Sequence, residues 1–379
     1  MKIVVFDQNK LILLSLKKKL IEIGYDVQIA RTSNQAIKLI EENEPDLVSI
    51  DVNASDYTGV DVLKYIKESS YKTKVIVISE DTEDTDIADL FAYGVDDFIK
   101  KPVTLSEIVL RINKIVGMCP VPEKSIVDDT VSLVREKCVG VVIPCYNEEN
   151  RLLEAEFKSF VKTNIGYHLC FVNDGSSDNT LKELEEIRRG KEDYISILNC
   201  KENGGKAEAV RLGMLHLAKK TDLNFDYIGF LDADLSTDFD DFDDLLRTIS
   251  ASDYKVVSGS RIERMGANIT KQSTRKIISS VINFAIQKIL GMKFRDTQCG
   301  AKILDRELVP FLFEKKFITR WLFDVEMFLR LKKKYGDTTK SIIYEQPLKR
   351  WIHMDGSSLS MKDSLDIVFQ LTRIASHYK

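Results

Sequence analysis

The sequence predicts an α/β protein of two successive domains, on three observations. Over residues 1–117 short β-branched runs alternate with amphipathic stretches, over 118–137 that rhythm breaks, and from 138 a longer alternation runs on. In the first region the apolar runs are KIVVF (2–6), YDVQIA (25–30), DLVSI (46–50), KVIVIS (74–79) and DDFI (96–99). Between them, residues such as Leu13, Leu16, Leu20 and Ile23 recur at spacings of three and four, which puts one apolar stripe on a helix. Five strands separated by helices require a parallel sheet covered on both faces, because parallel neighbours need crossover connections. The functional edge of such a sheet is the carboxyl end of its strands.

Residues 118–137 (MCPVPEKSIVDDTVSLVREK) combine two close prolines with a charged, weakly periodic remainder, which reads as a linker or a short connecting helix. The second domain, 138–379, opens on VGVVIP (139–144). It continues through HLCFVND (168–174), YISILN (194–199), YIGFLDAD (227–234) and YKVVSGS (254–260). Beyond residue 320 it mixes helix, the strand-like SIIYEQPL (341–348) and a final helix.

Hydrophobic residues make up 44% of the 379, enough to fill two cores and too many for a disordered chain. The 55 basic and 59 acidic side chains leave a net charge of -4, which argues against wholesale nucleic-acid binding. Cys119, Cys138, Cys145, Cys170, Cys200 and Cys299 are scattered, without a C-x-x-C pair or a nearby His cluster, so neither a disulfide framework nor a zinc site is expected. Asp7 interrupts the first apolar run too early for a signal peptide, and no run approaches the ~20 apolar residues that span a bilayer. The expectation is a cytoplasmic protein that meets a membrane, if at all, peripherally at its inner face.

Asp7 follows the first strand and Asp51 the third, Ser79 closes the fourth, and Lys101 with Pro102 follows the fifth. In a parallel sheet these ends converge, so two carboxylates, a hydroxyl and an ammonium meet at one point. Such a set can hold Mg²⁺ through carboxylate oxygens and accept a phosphoryl group on one Asp. Residues 1–117 thereby resemble the flavodoxin-like (CheY-like) receiver domain of two-component response regulators. The resemblance implies Asp51 as phosphoacceptor, Asp7, Asp51 and Asn53 around Mg²⁺, and Ser79, Phe98 and Lys101 as the switch set. It also implies a histidine kinase or phosphotransfer protein as partner and a homodimer through the last helices. One departure is Gln8, where the family carries a second acid; an amide removes one negative charge and lowers metal affinity. The alternative is a degenerate receiver serving only dimerisation or packing.

In the second domain, IPCYNEE (143–149) and VNDGSSDNT (172–180) each leave a strand for a helix, and NGGKAEAVRLGM (203–214) places two glycines and Lys206 at a helix start suited to an anion. FLDADLS (230–236) ends a hydrophobic strand in Asp232-Ala233-Asp234, two carboxylates able to share one divalent cation that bridges a diphosphate. The alternative is a solvated acidic turn, since Asp238, Asp240, Asp241, Asp243 and Asp244 follow.

With SGSR (258–261), RDTQCGAK (295–302), RWLFDVEM (320–327) and RWIHMDGSSLS (350–360), the region 139–360 resembles a family 2 glycosyltransferase with the Rossmann-like GT-A fold. It is most similar to the polyprenyl-phosphate (dolichyl-phosphate) glucosyl- and mannosyltransferase branch. The resemblance implies a nucleotide sugar of the UDP-glucose or GDP-mannose type held by Pro144, Tyr146, Glu148, Asp174, Lys206, Asp232, Ala233 and Asp234. Asp232 and Asp234 hold Mg²⁺ or Mn²⁺. Arg261, Arg275, Ser279 and Gln298 bind an acceptor phosphate, and transfer inverts the anomeric centre. Ser236 stands where relatives often carry Gln.

A polyprenyl-phosphate acceptor is already anionic and needs positioning only; a hydroxyl acceptor needs a base, for which Asp324 and Glu326 are the candidates. KIISSVINFAIQKIL (276–290) reads first as a core helix and alternatively as an interfacial helix that guides a lipid phosphate to Arg275. The functional expectation is hexose transfer to a polyprenyl phosphate, regulated by phosphorylation of Asp51. The alternatives are transfer to a soluble or protein acceptor, or a non-catalytic signalling or scaffold protein.

Overall fold

The computed structural model describes residues 1–52, 58–79, 84–117, 132–262, 265–266, 268–269, 275–352 and 361–378. The chain forms two compact units, one of residues 1–138 with 159–167 and 221–224, the other of 139–158, 168–220 and 225–379.

The first unit runs β1 (Lys2–Phe6), α1 (Lys10–Glu22), β2 (Asp26–Ala30), α2 (Ser33–Asn43), β3 (Leu47–Ile50), α3 (Thr58–Glu68), β4 (Lys74–Ser79), α4 (Asp84–Ala92), β5 (Asp97–Lys100), β6 (Val103–Thr104) and α5 (Leu105–Val116). Strand order is β2-β1-β3-β4-β5 and the neighbours are parallel. That is the doubly wound order in which ligands sit beyond the carboxyl ends of the central strands. Alternation along β1 feeds both faces: Ile3 and Val5 enter one core, Val4 and Phe6 the other. Asn9 and Thr104 cap α1 and α5 by accepting backbone N–H groups, which fixes where the loops after β1 and β5 stop.

Next come β7 (Leu133–Cys145), α6 (Glu154–Thr163), β8 (Asn164–Asn173), α7 (Thr180–Arg188), β9 (Ile195–Asn199), α8 (Lys206–Lys219), β10 (Tyr227–Phe230), α9 (Phe239–Ser250), β11 (Val256–Ser260) and β12 (Asn268–Ile269). The chain continues through α10 (Arg275–Leu290), β13 (Lys302–Asp305), α11 (Leu308–Phe313), α12 (Phe323–Tyr335), α13 (Thr339–Ile342), β14 (Ile343–Pro347), β15 (Arg350–Trp351) and α14 (Met361–His377). The main sheet has the order β14-β11-β13-β10-β7-β8-β9. Strand β13 is antiparallel to both its neighbours, whereas β10 with β7, and β8 with β9, are parallel. The architecture is therefore the α/β, GT-A type mixed sheet.

Two details differ from the sequence reading. The linker expected over 118–137 ends earlier, because Leu133 and Val134 already pair antiparallel with Thr104 and Val103; residues 118–131 lie outside the described residues. The short run KILD at 302–305 is a central strand, hidden in the sequence by its length and its leading lysine. Helix α10 buries Ile286 and Leu290 while leaving Phe284 60% exposed beneath Lys288, whose Nζ lies 5.0 Å from the ring centroid. One face is thus core and another is solvent. Among the described residues no helix is long and apolar enough to cross a membrane.

Candidate functional site

At the carboxyl edge of the first sheet, backbone hydrogen bonds hold the converging ends: Asp51 N donates to Phe6 O (2.9 Å) and Lys101 N to Ser79 O (2.7 Å). The Lys101 ammonium lies 3.1 Å from Oδ2 of both Asp7 and Asp51. Asp7 and Lys101 are buried, and Asn9 N donates to the other Asp7 oxygen at 2.6 Å. Burial, and then the neighbouring Asp51 charge, push Asp7 up to about 7 against the pull of Lys101. Both carboxylates hold the Lys101 ammonium protonated in spite of its burial.

Asp51 Oδ1 is buried without a hydrogen-bond partner, an oxygen left open for a cation or a phosphoryl group. The Ser79 hydroxyl donates to Val52 O, and Phe98 packs half-buried on the core beside it. Asn53 lies outside the described residues. The structure thus brings Asp7, Asp51, Ser79 and Lys101 to one edge.

The second unit assembles its site on the ends of β7, β8 and β10. Asp174 N donates to Cys145 O, and Leu231 N to Val142 O, each at 2.9 Å, so the loops after these strands emerge side by side. Pro144 is half-buried in the end of β7, and Tyr146 is 47% exposed. Each Asp174 oxygen accepts one backbone N–H, from Gly204 and Gly205, both at 2.8 Å, and keeps a lone pair for a ligand. Gly205, with φ of +88°, makes the left-handed turn that aims these amides before α8 begins.

Lys206, first residue of α8, places its Nζ 2.5 Å from Asp232 Oδ1. Burial acts to raise Asp232, yet Lys206, Arg261 and Lys302 outweigh it and hold the carboxyl below its ordinary range. Ala233 is buried between the two acids, and Asp234 Oδ1 accepts Ser236 N at 2.9 Å. Glu148 pairs with Arg151 at 2.7 Å, while its buried Oε2 has no partner. Burial raises Glu148, and Asp234 and Asp232 add to the shift, so the three carboxylates share one field. Asn147 (φ 53°) and Leu235 (φ 49°), unusual values for non-glycine residues, lie in the loops carrying Glu148 and Asp234.

These residues fit a divalent ion held jointly with a diphosphate. Asp232 is kept ionised, and Glu148 offers an orphaned buried oxygen nearby. Among the described residues no group of three His, Cys, Asp or Glu forms a cage of its own.

Sequence reasoning missed Lys302 and Gly300. Lys302 is fully buried, 2.8 Å from Asp324 Oδ1, donates to Cys299 O (2.7 Å) and lies 5.4 Å from the Phe230 ring centroid. The sequence held no signal for Lys302, because the four-residue strand it opens is too short to stand out.

Asp324 sits below this cluster. Burial raises it, Lys302 and then Lys206 pull it back, and Asp232 raises it further. Glu326, the other candidate base, is corrected by its surroundings: it is fully buried and accepts from Arg330 (2.7 Å), Tyr378 (2.9 Å) and Ile318 N (2.8 Å). With all these donors on it and no exposure, it has no free path to a substrate.

Arg261 grips Asp296 through Nε (2.6 Å) and Nη2 (2.8 Å) and lies over Trp351. The pair is half-buried, and although desolvation opposes it, Arg261 draws Asp296 down to about 2. Gln298 follows Asp296, which accepts Gln298 N at 3.3 Å. Arg275 and Ser279 fall on the first turns of α10, and their side chains lie outside the described residues.

Residues 140–313 match glycosyl transferase family 2, and residues 3–113 match the response regulator receiver domain. A dolichyl-phosphate beta-glucosyltransferase of Dictyostelium discoideum is 29% identical over 257 residues, 63% of this chain and 74% of that protein. One from Saccharomyces cerevisiae is 31% identical over 264 residues, covering 63% and 75%. The receiver domain of the Francisella response regulator 1452 is 29% identical, covering 30% of this chain and 95% of that one, with a TM-score of 0.29. The chain belongs to glycosyl transferase family 2 and carries an N-terminal response regulator receiver domain; it is a family 2 glycosyltransferase.

Proposed function

We propose that the protein transfers a hexose, with inversion, from a nucleotide sugar of the UDP-glucose or GDP-mannose type to a polyprenyl phosphate, and that phosphorylation of Asp51 sets its turnover. The observation that carries the transferase reading is the Lys206–Asp232 pair beside Asp234 and the Asp174-bound amides of Gly204 and Gly205. Tyr146 stacks on the base, while Asp174 and Glu148 accept from base and ribose hydroxyls. Lys206 and the α8 N-terminus stabilise charge on the diphosphate. Bound by Asp232 and Asp234, Mg²⁺ or Mn²⁺ would supply Lewis-acid charge to the departing diphosphate. The acceptor phosphate is its own nucleophile, which leaves Asp324 to set the field at Asp232.

In the receiver, the unpartnered Asp51 Oδ1 takes the phosphoryl group from a histidine kinase or phosphotransfer protein, and Lys101 and Ser79 bind its oxygens. Asp7 and Asp51, with Asn53, which lies outside the described residues, would hold Mg²⁺, and the ion would offset negative charge on the phosphoryl oxygens.

The test is transfer of labelled glucose from UDP-glucose, and mannose from GDP-mannose, to a short polyprenyl phosphate with Mn²⁺, for the native chain and Asp234→Ala. Turnover that disappears in the variant supports the reading; equal background turnover in both overturns it. Acetyl phosphate with Mg²⁺ should change native turnover and leave Asp51→Asn unmoved.

A further inference from the structure

Beside the nucleotide crevice lies a second concavity of about 520 Å³, lined by Ile318, Thr319, Arg320, Trp321, Phe369, Gln370 and Arg373. Its floor is the segment before α12 and its wall is α14. The segment is held firmly: Ile318 N donates to Glu326 at 2.8 Å, and Ala207 N donates to Arg320 O at 3.2 Å. The side chain of Arg320 crosses Gly205, where an added Cβ would lie 3.3 Å from its Cγ and Cδ. The cleft therefore abuts the amides that hold Asp174.

Three polar side chains of its lining face the concavity, although Arg320 also acts on the Asp174 carboxylate. Arg320 and Arg373 are exposed, and among the described residues neither has an ion-pair partner, unlike Arg261, which Asp296 occupies. Thr319 is 5% exposed and its Oγ1 is buried with no hydrogen-bond partner. A buried hydroxyl left unsatisfied, beside Arg373 and an Arg320 whose charge is shared with Asp174, marks a place for an oxyanion. Trp321 and Phe369, 59% and 67% exposed, add an apolar flank that a hydrophilic anion would not need.

We propose that this cleft seats the phosphorylated end of an amphiphilic acceptor, with phosphate oxygens on Arg320, Arg373 and the Thr319 hydroxyl and the first hydrocarbon units across Trp321 and Phe369. The acceptor role rests on the transferase reading; the binding chemistry does not. The geometry commits to a lipid monophosphate, because charge and apolar surface adjoin within one concavity.

The experiment titrates the full chain with farnesyl phosphate, farnesol and inorganic phosphate, by calorimetry and tryptophan emission. Trp321 is one of only two tryptophans. Saturable binding of farnesyl phosphate is expected, with a change in emission that Trp321→Phe abolishes. Arg373→Gln should weaken it about 10-fold, the loss of one charge-assisted contact. Phe369→Ala should weaken it about 5-fold through lost apolar contact. Farnesol or inorganic phosphate binding as tightly as farnesyl phosphate would overturn the proposal, showing a plain greasy groove or a plain anion site. Unchanged affinity in both variants would overturn it too.

Thermal shift with UDP-glucose and Mn²⁺ on the same samples separates the two readings. Donor binding with variant-insensitive farnesyl phosphate sinks the cleft alone. Absent donor binding counts against the transferase reading, while Arg373-dependent farnesyl phosphate binding still supports the cleft.

Discussion

Gly300 packs so closely on Asp232 that an added Cβ would come within 2.7 Å of Oδ1 and nearer still to Oδ2. No side chain larger than hydrogen fits without moving the carboxylate that Lys206 holds. Gly300→Ala should therefore displace Asp232 and cut kcat/KM by about 100-fold, the scale for misplacing a reacting group by about 1 Å. Because Gly300 is only half-buried, the melting temperature should fall little. Steady-state kinetics with a melting curve check this; native kinetics in Gly300→Ala would mean Asp232 is not part of the machinery.

Lys206 makes a second, pH-dependent prediction. Burial favours the neutral form of Asp232, and Lys206 is the largest of the charges that reverse this. Removing that charge lets the pKa of Asp232 rise, so the ionised fraction is lost at a higher pH than in the native protein. Lys206→Gln should lower kcat/KM by about 100-fold, the usual cost of one electrostatic donor at a transferring group. It should also move the acid limb of the pH profile upward. A uniform loss at every pH would place Lys206 on the nucleotide alone.

In the receiver, Asp7 supplies a test on stability. Its carboxyl is raised from 3.8 to about 7 by burial first and by Asp51. The folded chain therefore binds that proton more tightly than the unfolded one. This contribution favours folding fully below the unfolded value and is lost as pH rises through about 7. Urea unfolding followed by circular dichroism between pH 5 and 8 should show a steeper decline for the native chain than for Asp7→Asn. The difference is at most about 1.4 kcal/mol per pH unit, the limit for one proton. Parallel slopes would mean that Asp7 stays ionised beside Lys101.

The strand ends were legible because each chemical residue follows an apolar run that can only be a buried strand. Asp7, Asp51, Ser79 and Lys101 are of this kind, as are Asp174 and Asp232. Residues delivered by packing were not. Lys302 reaches the site from a four-residue strand that runs antiparallel to its neighbours, and a spacing rule built on parallel crossovers does not see it. Thr319 and Arg320 lie in an irregular segment whose position is fixed by Glu326 and Ala207, contacts with no local sequence signature. Asp324 and Glu326 looked equivalent in the sequence, two acids in the first turn of one helix, and only their three-dimensional neighbours separate them.

That separation gives the last prediction. Glu326 is the counter-charge of Arg330, whose guanidinium donates to Leu312 O (2.5 Å), Lys315 O (2.9 Å) and Lys316 O (2.9 Å). Neutralising Glu326 leaves that arginine buried without compensation, a change that costs about 3 kcal/mol or more. Glu326→Gln should unfold at markedly lower temperature while turnover per folded molecule stays within about 2-fold of native, since the amide oxygen of glutamine can still accept Ile318 N and hold the Thr319–Arg320 segment. Asp324→Asn should behave differently, because Asp324 acts on the field shared by Lys302, Lys206 and Asp232. Its kcat should fall at temperatures where the variant remains folded. If Glu326→Gln instead abolished turnover without lowering the melting temperature, Glu326 would be the base and the acceptor would be a hydroxyl rather than a phosphate.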